Sequence, residues 1–437
     1  MERDRVMKNK SEQTPLKEVA GLFFKLGSIA FGGPAAHIAM MEKEVVEKRK
    51  WMDHQHFLDL IGATNLIPGP NSSEMAMHCG HERAGWKGLI TAGITFIVPA
   101  VAITMVFAWL YAKYGTLPAA ESYFYGIKPA VVGIILYALY GLGKKAFKNN
   151  MLIVMGLVTL GVTFLGVGEI TALFACGFAG ILIFFISKLF SKNRSVNKNV
   201  KENSHVKSKA KENTEIIIGK EAEAQKQTEE NKEEKLKIKD NPKGKKLLSI
   251  IPLALITAVT GATTLSVLKI FLIFLKVGAL LYGSGYVLFA FLDNELVMEG
   301  LLTREQLMDA VAVGQFTPGP VLSTATFIGW QLYGFWGAIA ATVGIFLPSF
   351  ILVGMLNPLI PKLRKSKVMA AFLDAVNVGS VAVIMAVVIQ MGRDAVTDWR
   401  SVLILIVSII VSFGFKKLNS AFIVIGGSLA GWLLLMI

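Results

Sequence analysis

Two short stretches collect the residue types that could hold an oxyanion. The first is Asn65-Leu66-Ile67-Pro68-Gly69-Pro70-Asn71-Ser72-Ser73-Glu74. The second is Gln315-Phe316-Thr317-Pro318-Gly319-Pro320-Val321-Leu322-Ser323-Thr324. Ser72, Ser73, Ser323 and Thr324 offer hydroxyl donors, and Asn65, Asn71 and Gln315 offer amides. Pro68 and Pro70 have no backbone N–H to donate, and Pro70 suits the first turn of a new helix. Gly69 between them permits a sharp reversal. Each copy therefore reads as a break between two half-helices. A helix that begins at such a break points free N–H groups and a positive dipole end toward it, which attracts anions.

Other candidates surround these turns. Phe31-Gly32-Gly33-Pro34 and Tyr282-Gly283-Ser284-Gly285 form a second pair of tips. Lys25 and Lys276 stand about two turns before them. A lysine there reads either as a counter-charge for a doubly negative substrate or as a snorkelling side chain. His37 reads as an anion donor or, more commonly, as a packed core histidine. Glu74 has no acidic counterpart in the second stretch. Keeping a lone carboxylate charged beside a buried anion site is costly, which makes it a proton-carrier candidate; the plainer alternative is a first-turn Glu that stabilises its own helix. His54, His56, His78 and His81 lack companion ligands in a settled pattern, so no metal is expected.

The elements that must position these residues are apolar. The 437 residues are 53% hydrophobic, and span-length apolar runs recur along the chain, which points to a polytopic membrane protein. The net charge of +14 sits between those runs and in one central segment. That distribution fits the positive-inside rule better than nucleic-acid binding. Cys79 and Cys176 lie in different apolar segments, so no disulfide framework is expected. No cleaved signal peptide is read at the N-terminus. No nucleotide loop, kinase set or nucleophile elbow occurs, so neither an enzyme nor a primary pump is expected, and no cofactor.

Two halves repeat one another. Lys276 to Gly285 matches Lys25 to Pro34, Asp293 and Glu295 match Glu42 and Glu44, and Asp309 matches Asp59. Gly334, Gly337 and Pro348 match Gly85, Gly88 and Pro99. Recognising the duplication comes before drawing any topology. The expected fold is all-α: two inverted repeats, each with two re-entrant helical hairpins and then four spanning helices, joined by one extra span. The expected boundaries are a first repeat over 1–190, a charged cytoplasmic linker over 191–246, a connecting helix over 247–264 and a second repeat over 265–437. The first-repeat spans fall near 86–112, 129–142, 151–165 and 169–190. Asp53 reads as the N-cap of the helix before the first turn, over 56–66.

Charge orients this scheme. The basic clusters of the first half, Lys43 to Lys50, Arg83 with Lys87, and Lys144 to Lys148, then share one side with the N-terminus and the linker. The positive-inside rule makes that side the cytoplasm. The extra span flips the second half, whose matching loop from Asp293 to Leu302 has no Lys or Arg. Opposite charge bias in like halves is what inverted repeats predict. Counting each hairpin as two full crossings instead gives about thirteen spans rather than about nine, and puts Lys43 to Lys50 outside.

These motifs resemble the chromate ion transporter family in its two-domain form. The resemblance rests on Phe31-Gly32-Gly33-Pro34 with His37, on Trp51, and on Asn65 through Glu74. Gly80, Gly85, Gly88 and Pro99 follow, with Thr317-Pro318-Gly319-Pro320 in the matching place. It implies a multi-pass plasma-membrane protein that exports chromate, is competed by sulfate, is driven by the proton motive force and confers chromate resistance. The expected partners are chromate and sulfate oxyanions and the lipid bilayer, with a homodimer as the candidate assembly. A sulfate or other anion carrier, or a channel, is the alternative. The second half departs from the pattern at Gly285, Val321 and Thr324, which stand for Pro34, Asn71 and Glu74. An asymmetric site is therefore expected.

Overall fold

The computed structural model describes residues 2–30, 34–115, 118–188, 266–282, 285–356, 366–415 and 418–436. The expected linker and connecting span fall outside them. So do Gly32, Gly33, Gly283 and Ser284. The chain divides into a unit of Met1–Ile181 with Gly261–Ile437 and a second of Leu182–Thr260. Of the second unit, the described residues are 182–188, which are helical.

The first half runs α1 (Glu2–Ile29), α2 (Pro34–Glu42), a π-helical turn (Lys43–Lys48), α3 (His54–Thr64), α4 (Asn71–Tyr114), α5 (Pro118–Ala146), α6 (Asn150–Phe164) and α7 (Glu169–Lys188). The second repeats that order: α8 (Val267–Leu280), α9 (Val287–Leu292), a π-helical turn (Asp293–Val297), α10 (Arg304–Phe316), a 3₁₀ turn (Val321–Ser323), α11 (Thr324–Leu356), α12 (Lys367–Ala395), α13 (Trp399–Gly414) and α14 (Ser420–Leu435).

Local chemistry sets the starts in pairs. The Asp53 carboxylate accepts the His56 N–H at 2.7 Å to cap α3. At the matching start of α10, Thr303 and Gln306 form a reciprocal capping box. Asn149 caps α6, and Asp398 caps α13. The helix before the first turn thus begins slightly earlier than its expected position at His56.

α4 and α11 each contain a reversal. Ala84 (φ −146°, ψ 26°) and Gly85 (φ 58°, ψ −149°) leave helical geometry. Tyr333 (φ −153°, ψ 32°) and Gly334 (φ 59°, ψ −148°) repeat it almost to the degree. The positive φ suits glycine. The arms on either side, α4a (71–83) and α4b (86–114), fold back antiparallel: Gly80 touches Gly88, and Met77 comes beside Gly93. Gly329 and Gly337 do the same between α11a (324–332) and α11b (335–356). Any Cβ at these four glycines would run into the opposing carbonyl.

The repeats interlock. α4b and α11b run antiparallel, with Trp86 against Gly354 and Gly93 against Phe350. α5 of the first repeat packs on α13 and α14 of the second, through Gly126 with Gly427 and Gly431, and Gly133 with Ser408. α12 reciprocates: Gly177 receives Phe372 and Val376, and Gly180 meets Ala375. Small residues at these crossings let helix backbones approach closely, which is how helices associate in lipid.

Among the described residues, five helices are long and apolar enough to cross a membrane: α4, α5, α7, α11 and α12. α6, α13 and α14 are apolar but shorter, at 15, 16 and 16 residues. That falls below the roughly 20 residues of a full perpendicular span.

Candidate functional site

The two Pro-Gly-Pro turns each reach across to the other repeat. The Gly69 N–H donates to the Leu281 carbonyl at 2.8 Å, and the Gly319 N–H donates to the Ala30 carbonyl at 2.8 Å. Ala30 and Leu281 are equivalent residues, each just past the end of its repeat's first long helix. The junctions are therefore related by the internal symmetry. Gly69 has φ +144° and Gly319 φ +89°. A Cβ on Gly319 would lie 2.7 Å from the Ala100 Cβ and 3.1 Å from the Gly27 carbonyl oxygen. A Cβ on Gly69 would run into the Ser349 hydroxyl and the Glu74 carboxyl. Ala100 and Ser349 follow the matched prolines Pro99 and Pro348, well inside α4b and α11b.

Each turn opens a helix with no side-chain cap, at Pro70 and at Pro320. Pro68, Pro70, Pro318 and Pro320 are buried. Ser72, Ser73 and Ser323 are buried with them, and the hydroxyls of Ser73 and Ser323 have no hydrogen-bond partner among the described residues. Gln315 Nε2 is likewise buried and unpartnered. Buried polar groups are ordinarily satisfied, so matched orphans at two helix starts require a reason. Four of the other expected donors are occupied. Thr324 Oγ1 donates to the Val321 carbonyl at 2.8 Å, and Thr317 Oγ1 to Gly314 at 3.4 Å. Asn71 Nδ2 donates to Asn65 Oδ1 at 2.9 Å, and Asn65 Nδ2 to the Ile61 carbonyl.

His37 is buried, and its Nε2–H donates to the Ala30 carbonyl at 3.0 Å. It thus shares that carbonyl with Gly319 and braces the junction, with its ring edge-on to Phe96. In the second repeat Leu288 occupies this place. Pro34 opens α2, and Gly285, buried, precedes Tyr286 at the start of α9.

Glu74 is fully buried, and neither carboxyl oxygen has a partner at hydrogen-bond geometry among the described residues. The Ser349 hydroxyl faces it and is also unpartnered.

The lysines are not at the tips. Lys25 Nζ lies 3.6 Å from Glu44 and is exposed; Lys276 Nζ lies 2.7 Å from Glu295. Each pairs with the equivalent glutamate of its own π-helical turn. Glu44 also receives Lys48 at 2.9 Å and Arg49. Those bonds, Lys48 first, hold its carboxyl down at about 2. At the matching face of the second repeat the centre is a cation: Arg304 binds Asp293 at 2.8 Å and Asp394 at 3.2 Å. His54 sits 2.7 Å from Glu42 and His56 3.1 Å from Glu82. Among the described residues, no group of three or more potential metal ligands forms.

Sequence reasoning missed Ala30, Leu281, Ala100 and Ser349. Extending the repeat alignment one residue past Pro99 and Pro348 would have paired Ala100 with Ser349. Asp309, named from the sequence only as the match of Asp59, is buried and accepts a 2.6 Å hydrogen bond from Tyr111 of the other repeat.

Broken helices that open inside an apolar, twice-repeated helical assembly are an arrangement that membrane transporters use to hold their substrates. The chain belongs to the chromate transporter family, whose model matches residues 17–181 and 268–432, one match in each repeat. It is 29% identical to a probable chromate transport protein of Synechococcus elongatus, over 95% of both chains. It is 28% identical to a chromate transport protein of Cupriavidus metallidurans, over 95% of this chain and 92% of that one. A chromate transport protein of Pseudomonas aeruginosa is 26% identical over 94% of this chain and 90% of its own. No solved structure matches the chain.

Proposed function

We propose that this protein is a secondary carrier that exports chromate across the plasma membrane, with sulfate as a competing anion. The crossed junction is the observation that carries the reading. Two uncapped helix starts, with the orphan hydroxyls of Ser73 and Ser323, offer N–H and O–H donors to a tetrahedral dianion. The junction residues named above include no Lys or Arg, so the anion is held by dipoles and can leave again. Coupling is to the membrane-potential part of the proton motive force, with Glu74 as the proton-bearing residue.

The turns are tips of re-entrant hairpins that meet near the membrane midplane, and the repeats are inverted across the bilayer. The antiparallel run of α4b against α11b supports this. So does the opposite charge at the two matching faces, carboxylate-centred at Glu44 and guanidinium-centred at Arg304. The N-terminus and the linker are cytoplasmic by the positive-inside rule. Transport proceeds by rocking of the repeats about the crossed tips.

A second reading is a carrier whose own anion is sulfate. The donors favour it equally, since nothing in their geometry distinguishes two tetrahedral dianions. Purified protein in liposomes separates the readings. Labelled chromate should exchange against internal chromate with saturation and be slowed by external sulfate. Sulfate exchange faster than chromate exchange would shift the assignment. Conduction without saturation or counterflow would make it a channel.

A further inference from the structure

The two junctions share a backbone and differ in side chains, and the difference is chemically pointed. Beside Gly319 stands Ala100, and Thr324, the repeat equivalent of Glu74, lies against Gly314 with its hydroxyl tied to its own helix. At the equivalent places beside Gly69 stand Ser349 and Glu74. Both Glu74 oxygens and Ser349 Oγ are buried and, among the described residues, have no partner at hydrogen-bond geometry. Three elements face the carboxyl. α11b brings Ser349, the residue after Leu281 brings the Tyr282 phenol, and on α4a itself His78 follows one turn later. Among the described residues no Lys or Arg pairs with it, and a bare carboxylate in such a place is strongly disfavoured. A neutral carboxyl instead has one O–H to donate, and Ser349 Oγ is there to accept it.

We propose that Glu74 and Ser349 form a composite proton-binding site between the repeats, and that proton and oxyanion are bound together rather than in exchange. The proton sits on a Glu74 carboxyl oxygen. Ser349 positions it, and Gly69, in contact with both, links its occupancy to the Gly69–Leu281 hydrogen bond. The sign follows from charge. A carboxylate at Glu74 repels a dianion at the same junction, so protonation favours anion binding. One proton on a dianion leaves a net negative unit. An inside-negative potential therefore drives that unit outward, while an inward proton gradient opposes it. This inference rests on the carrier reading above.

Two measurements test it. The first needs no transport: infrared difference spectra of the purified full chain, comparing wild type with Glu74→Gln. A protonated-carboxyl band present at neutral pH and lost in the variant supports the site; its absence from the wild type overturns it. The second follows a pH dye and labelled chromate together in liposomes clamped at zero potential. Protons should accompany chromate in the same direction, and the proton-to-chromate ratio should fall at least about fivefold in Glu74→Gln. Ser349→Ala is sterically mild, because Ala100 already fills the matching place, and it should lower the ratio while chromate still exchanges. Protons moving against chromate, an unchanged ratio in both variants, or replacement of the proton by sodium would overturn the proposal. A carboxyl band that disappears in Glu74→Gln without any wild-type chromate flux would keep the proton site and remove the carrier reading.

Discussion

The Gly69 and Gly319 junctions are the same backbone built twice. The donor, the acceptor, the 2.8 Å separation and the facing helix all correspond. Their side chains do not. His37 braces the Ala30 carbonyl, but Leu288 leaves Leu281 without a counterpart bond. Ser349 and Glu74 face Gly69, but Ala100 faces Gly319 and Thr324 faces Gly314. Duplication preserved what the crossing needs, which is glycine geometry and close approach. It released the residues that set charge, so one junction holds an imidazole and the other a carboxyl.

The largest expected effect comes from the glycines themselves. Gly69→Ala puts a Cβ into Glu74 and Ser349 at φ +144°, and Gly319→Ala puts one 2.7 Å from Ala100. Strain of this type costs about 1–3 kcal/mol per residue, so chromate exchange should fall by roughly ten- to a hundredfold in each. Gly69→Ala should be the worse, since it displaces two polar groups and not one methyl. Equal losses would mean that only the backbone matters at both junctions.

Next is His37→Ala. It removes one of the two donors to the Ala30 carbonyl, worth about 1 kcal/mol net, so exchange should fall roughly fivefold. Leu288→Ala, at the mirror position, should leave the Gly69 bond intact and affect thermal stability more than exchange. If the two variants behaved alike, His37 would be packing and not a brace.

The outer faces give a smaller, pH-dependent effect. Glu44 is held at about 2 by Lys48, Arg49 and Lys25, below its ordinary value of about 4.3. A depressed carboxyl contributes stability above its unfolded value and loses it as pH falls through the folded one. Glu44→Gln should therefore lower the melting temperature in detergent at neutral pH, and the gap should close between about pH 4 and about 2. A gap that persisted at the acid end would point to packing.

The smallest effect belongs to Lys25→Met. Its side chain is 56% exposed and its partner 3.6 Å away, so exchange should change by less than about twofold. Lys276→Met breaks a closer and more buried pair, and should cost more stability without weakening chromate competition by sulfate. A loss of chromate affinity in either would restore the lysines as counter-charges.

Much of the fold was legible along the chain because its causes are local. The proline and glycine positions announce the two breaks, Asp53 announces the start of α3, and the matched residues announce a repeat that the structure follows helix for helix. The reversals at Gly85 and Gly334 were visible as aligned glycines, but not as hairpins. A positive φ can be suspected from a glycine; the opposing carbonyl that makes the glycine obligatory is a tertiary neighbour. The partners of the lysines were hidden for a related reason. Their depth along the helix could be counted, but the π-helical turn that returns Glu44 and Glu295 to them could not.

The sequence by itself determined that this chain is an apolar, duplicated helical protein with two broken-helix turns rich in donors, because periodicity, proline chemistry and charge act over a few residues. Tertiary packing alone sets each turn's hydrogen bond to the other repeat and, among the described residues, leaves Ser73 and Ser323 unpartnered and brings Glu74 to Ser349 and to no cation. Those facts depend on atoms more than two hundred positions apart in the chain, brought together by glycine-lined helix crossings whose partners no local pattern names.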